Sequence, residues 1–143
     1  MSNARAPASR RGLTVALWIA QALLALTFLG TGIWKLATPI PELAAVIPWA
    51  GESSPALLYA TAVFDLLGGI GILLPSLTRI QPGLTVLAAY GCAALQAAAI
   101  VFHVSRGEAA NTPFNVVLVA LALFVAWGRR TAAPISAGSR ADG

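Results

Sequence analysis

Residues 13–36 read LTVALWIAQALLALTFLGTGIWKL, and this stretch decides the fold. It is apolar on every side over a length that crosses a bilayer core as a helix, for which about 20 residues suffice. One amide, Gln21, and one charge near its end, Lys35, interrupt it. A membrane-spanning strand needs only about 10 residues and alternates in and out, so helix is the reading. A cleaved signal peptide has an apolar core of about 7–15 residues and a small-residue cleavage site. This core is longer and no such site ends it, so the sequence predicts a retained span.

Three further runs of the same kind follow. Residues 55–74 read PALLYATAVFDLLGGIGILL, residues 84–104 LTVLAAYGCAALQAAAIVFHV, and residues 112–127 TPFNVVLVALALFVAW. Pro55 and Pro113 open the second and fourth, where a missing N–H costs little. Pro75 and Pro82 bracket the loop between the second and third. Composition agrees: of 143 residues, 58% are hydrophobic and 10% charged, with a mean hydropathy of +0.80. Soluble domains carry about 25% charge, so this chain cannot cover a water-facing surface. The predicted fold is an all-α integral membrane four-helix bundle over residues 13–130. A basic segment, 1–12, precedes it, and a small, polar tail expected to be disordered, 131–143, follows.

The net charge of +4 is placed by topology rather than by nucleic acid. With both termini cytoplasmic, one side holds Arg5, Arg10, Arg11, Arg79, Arg129, Arg130 and Arg140, and the other only Lys35 and Arg106. Arginine and lysine collect on the cytoplasmic side of membrane proteins, which predicts a multi-pass protein with both termini cytoplasmic. The loop 37–54 then faces outward. It contains ELAAVIPW, enough for a short interfacial helix with Trp49 at headgroup level. The single cysteine, Cys92, has no partner for an internal disulfide or a redox pair.

Ionisable groups within apolar runs face protein or water rather than acyl chains. The candidates for an intramembrane polar site are Lys35, Asp65, Gln96, His103 and Asn115. Asp65 lies about ten residues below the outer start of its span, near mid-bilayer at about 1.5 Å per residue. Its helical neighbours Thr61, Ala62, Gly68 and Gly69 are small, so another helix can approach there. It acts either as a polar link between helices or in proton, ion or quinone handling. Cys92, Gln96 and His103 share one helix face, and a Gln96–Asp65 hydrogen bond is geometrically reasonable. Lys35 either snorkels to the headgroups or folds inward toward Asp65, a contact that needs span one to sit deeper than its length suggests. Asn115 either joins His103 in an outer polar cluster or serves as a helix-start residue. A lone histidine offers no metal-ligand spacing, and G-G-I-G inside an apolar run is no phosphate cradle.

FLGTGIWKLATP (28–39), DLLGGIGILLP (65–75), AAAIVFHVSRGE (97–108) and VLVALALFVAWGRR (117–130), taken in order, resemble the DoxX-like family of small bacterial membrane proteins. That family shows G-x-x-K-L before a proline, then an acidic residue before L-x-G-G. Lys35 and Asp65 fall on those places, with aspartate where glutamate is more usual and a correspondingly shorter reach. The resemblance implies a four-helix bundle in the bacterial cytoplasmic (inner) membrane. It also implies an accessory role in a quinone-linked respiratory or redox-stress system, with quinone as the expected cofactor and a redox protein or a second copy as partner. Catalysis by the chain alone is not implied, since related redox proteins use cysteine pairs that are absent here. The competing functions are a small oligomeric proton-coupled transporter working through Asp65 and a non-catalytic membrane scaffold.

Overall fold

The structure, a computed structural model, describes residues 8–139. Arg5 and Arg140 of the charge count lie outside the described residues.

Four long helices carry the fold: α1 (Ala8–Ala37), α4 (Pro55–Thr78), α5 (Gly83–Ser105) and α6 (Pro113–Trp127), the last continued by a π-helical turn, Gly128–Ala132. Each is long and apolar enough to cross a membrane once that turn is counted with α6. Two short helices, α2 (Ile40–Val46) and α3 (Trp49–Glu52), fill the first loop, and a 3-10 turn, Ala109–Asn111, precedes α6. Among the described residues there is no strand. α1 packs on α4, α4 on α5, α5 on α6, and α6 back on α1, so the four spans close into a ring.

The buried face of α1 is Leu17, Ala20, Gln21, Leu24, Ala25, Phe28 and Gly32, the spacing of a single helical stripe. Against it lie Ile72, Ala89, Cys92, Leu118, Ala122 and Val125. The core is built mostly of small and medium residues, while Leu26, Leu67, Leu87 and Val101 point outward at 60–72% exposure. Large apolar side chains so exposed suit acyl chains and not water. Close helix contact replaces the hydrophobic drive that lipid removes. A Cβ on Gly32 would stand 2.9 Å from the Ala62 carbonyl oxygen, so α1 and α4 meet backbone to backbone there.

Pro55 opens α4 behind an Ser54 cap whose hydroxyl accepts from the Leu57 N–H, and Pro113 opens α6, as the sequence predicts. Pro75 behaves otherwise. It does not begin a loop; α4 runs through it to Thr78. A proline removes one backbone donor and crowds the preceding turn, and in a membrane helix neighbouring side chains compensate. Pro75 leaves the Gly71 carbonyl without its helical donor, and on the next residue Gln21 Nε2 donates to the Ile72 carbonyl at 2.7 Å and on to Ser76 Oγ at 3.0 Å, bracing this turn from α1.

The basic segment before the first run is partly helical, since α1 begins at Ala8. At the other end, residues 133–139 of the tail predicted to be disordered turn back over the α4–α5 loop. Arg79 Nε donates to the Ser136 carbonyl at 2.9 Å, and the Gly138 N–H donates to the Arg79 carbonyl at 3.0 Å.

Candidate functional site

Two polar clusters sit inside the bundle, one toward each end. The one at the Lys35 end of α1, termed outer for its place in the bundle, begins with the close approach of α1 and α4. Gly32 lets the helices touch, and Lys35, one turn further along α1, reaches Asp65. Its Nζ donates to Asp65 Oδ2 at 2.8 Å and to Thr61 Oγ1 at 3.3 Å. Thr31 Oγ1 donates to the same Asp65 oxygen at 3.3 Å. The Lys35 and Asp65 side chains are 14% and 5% exposed, so the pair is shielded from both water and lipid. Of the two sequence readings of Lys35, the inward one is realised.

On the facing wall, Asn115 of α6 donates from Nδ2 to Gln96 Oε1 at 2.6 Å. Gln96 departs from its sequence expectation, meeting Asn115 instead of Asp65. Asn115 lies in the first turn of α6, and its hydrogen bond goes to Gln96 rather than to His103. α5 neighbours both α4 and α6 in the ring, but the Lys35 ammonium already occupies the Asp65 carboxylate, so the Gln96 amide pairs across the α5–α6 seam. His103 bonds to a residue of its own segment, with Nδ1 2.8 Å from Glu108 Oε2. Gly107, at φ +75°, makes the turn that brings Glu108 back under His103. Arg106 donates from Nε to Glu108 Oε1 at 3.0 Å and from Nη2 to Glu52, so α3 is tied to the end of α5. The His103 hydrogen bond, with Arg106 beside it, holds the Glu108 carboxyl below its ordinary range, and Glu52 foremost holds Arg106 above its own.

Between these walls lies a cavity of about 380 Å³. All five sequence candidates, Lys35, Asp65, Gln96, His103 and Asn115, line it. The rest of its lining is mainly apolar or aromatic, including Phe28, Trp34, Leu95, Phe102 and Phe114. The Trp49 ring stands edge-on to Phe102 at 5.7 Å, with the Lys35 ammonium 5.7 Å from its centroid. An apolar chamber with a few convergent polar groups is the usual form of a small-molecule site. Its polar groups are an ammonium, a carboxylate, two amides and an imidazole set among apolar walls. Among the described residues no group of three metal-ligating side chains comes together.

The inner cluster is one the sequence does not reveal. Gln21, Ser76, Thr85 and Arg129 are buried and bonded across the ring. Ser76 and Thr85 share a hydroxyl contact of 2.8 Å, and Arg129 Nε donates to Gln21 Oε1 at 2.7 Å. Of these, Gln21 alone stands out in an apolar run. Ser76 and Thr85 look like loop-flanking residues, and Arg129 reads as a topology charge.

A closed ring of four apolar helices around an intramembrane ion pair defines a multi-pass membrane protein with an internal polar chamber. Its family follows from direct comparison: the chain belongs to the DoxX-like family, whose model matches residues 19–125. The match spans all the residues that make the chamber. No curated protein and no solved structure matches the chain.

Proposed function

We propose that the protein is an accessory membrane subunit of a quinone-linked respiratory or redox-stress system, and that the outer chamber holds the quinone head. One observation carries the reading: the Lys35–Asp65 pair and the Gln96–Asn115 pair line the same apolar cavity. A quinone has a flat apolar ring with two carbonyl acceptors and needs donors in an otherwise greasy pocket. Among the described residues Gln96 Nε2 has no hydrogen-bond partner, and Lys35 has an ammonium with three N–H donors. The aromatic rings suit the faces of a flat ligand. The chain has one cysteine, so it exchanges no disulfide by itself; its part is to hold a mobile carrier for a redox partner.

The same reading places the protein in the bacterial cytoplasmic membrane with both termini inside. Among the described residues, Arg10, Arg11, Arg79, Arg129 and Arg130 gather at the end of the bundle where the chain starts and stops, and Lys35 and Arg106 at the other. The chamber then opens on the outer half of the bilayer.

The test is purification in a mild detergent, organic extraction and mass spectrometry of the extract. The expected result is a quinone retained near one per chain, and sharply reduced in Lys35→Met and Gln96→Leu variants that keep their helix content. A folded wild-type chain retaining no more quinone than an unrelated four-helix membrane protein overturns the proposal.

A further inference from the structure

The inner end of the bundle carries a second site, unrelated to the quinone chamber. Arg129 is 5% exposed, and its Nη2 is buried with no hydrogen-bond partner. Its other contacts are neutral. Nε donates to Gln21 Oε1, Nη1 donates to the Ala133 carbonyl at 3.2 Å, and the guanidinium lies 4.9 Å from the centre of the Trp18 ring. Among the described residues no carboxylate forms an ion pair with Arg129, Arg10 or Arg11. A buried charge with neutral partners alone is costly, and a counter-charge relieves it.

Beside this guanidinium is a cavity of about 650 Å³. Arg10, Arg11 and Thr14 from the first turns of α1 line it, with Arg129 opposite. Its remaining walls are apolar, Val15 and Trp18 on α1 and Pro134 and Ile135 on the returning tail. Three arginines, one of them lacking a partner at Nη2, converge on a space whose other walls are greasy. Arginine forks match phosphate oxygens in pairs. A phosphate next to apolar walls is also the form of a phospholipid at the membrane boundary.

We propose that this cavity binds one phosphate-bearing anion, with Arg129 as its buried anchor and Arg10 and Arg11 closing over it. The anion is either the headgroup of an acidic phospholipid, whose glycerol and acyl chains lie along Val15 and Ile135, or a free phosphate. The returning tail is part of the site, because Pro134 and Ile135 form its outer wall and the Ala133 carbonyl holds Arg129 in place.

The test uses the full chain in detergent micelles, with native mass spectrometry and thermal unfolding as readouts. Phosphatidylglycerol, phosphatidylcholine and inorganic phosphate are added separately. The expected result is one phosphatidylglycerol retained per chain in preference to phosphatidylcholine, with a raised melting temperature. Arg10→Gln/Arg11→Gln changes two exposed side chains and leaves the core untouched. Removing two charges at about fivefold each should lower phosphatidylglycerol retention about 25-fold. Arg129→Lys keeps the charge but loses the fork, and its retention falls too. Stabilisation by inorganic phosphate equal to that by the lipid supports the site and assigns it to the free anion. Equal retention of the two lipids together with no effect of phosphate overturns the proposal, as does unchanged retention in the double variant.

Discussion

Lys35 and Asp65 lie 30 positions apart in the chain, yet the ammonium nitrogen stands 2.8 Å from a carboxylate oxygen, in the seam between α1 and α4. The pair has few neighbours to share its charge with, Thr31 and Thr61 being the hydroxyls in reach. It is therefore both the outer anchor of this seam and the most polar feature of the chamber.

Breaking such a pair from one side leaves a bare charge in an apolar setting, which costs about 3–5 kcal/mol in buried pairs. Lys35→Met should therefore destabilise the bundle strongly. Lys35→Met/Asp65→Leu should recover much of the loss, because both charges go together. A double-mutant cycle of unfolding in detergent measures this; additive single effects would mean that the two groups do not act as a pair.

The close approach at Gly32 predicts a sharp positional contrast. Gly32→Ala puts a methyl 2.9 Å from the Ala62 carbonyl oxygen, a backbone atom that cannot swing aside. It should cost about 1–3 kcal/mol, the range for overpacking. Gly30→Ala, two residues earlier, meets nothing within 4 Å and should leave stability unchanged or slightly improved. Melting temperatures of the two variants side by side decide it.

At the outer rim, Glu108 sets a pH dependence. Its folded carboxyl titrates below its ordinary value of 4.5, chiefly through the His103 hydrogen bond. A carboxyl lowered on folding contributes stability that is complete above the ordinary value and is lost as pH falls through the folded one. The wild-type melting temperature should thus decline below about pH 4.5. In Glu108→Gln that part of the decline should be missing. Superimposable acid limbs for the two proteins would show that Glu108 adds nothing.

Gln21 serves three groups at once: the Ile72 carbonyl, Ser76 Oγ and Arg129 Nε. Gln21→Leu keeps the volume roughly constant but strands buried donors and acceptors, at about 1–3 kcal/mol for each stranded group. It should lower the melting temperature more than Thr14→Val, which removes a hydroxyl bonded within its own helix to the Arg10 carbonyl.

The spans were legible because hydropathy over about 20 residues is a local property, and lipid forces every backbone group into a helix regardless of its neighbours. The helix openings at Pro55 and Pro113 were legible for the same reason. Pro75 reads as a helix end in the sequence because the side chain that braces its turn, Gln21 on the Ile72 carbonyl, comes from another helix 51 positions away. The five chamber residues were singled out as polar groups in apolar runs; the Lys35–Asp65 contact stood as one of two readings, and the Gln96–Asn115 pairing was not among them. Depth along a helix gave no lateral order, and Gln96 could be matched as readily with Asp65 as with Asn115. Arg129 was hidden by its position: just past the last run, it looks like any other flanking charge.

The sequence alone therefore determined the solvent, the four crossings and which side chains would be too polar for lipid, since each follows from the cost of placing a given segment in a bilayer. The tertiary structure alone decided the ring order α1–α4–α5–α6, the Lys35–Asp65 contact through the Gly32 seam, and the inward turn of Arg129. Those depend on which helix faces which, and close packing between small residues sets that arrangement at distances no single span encodes.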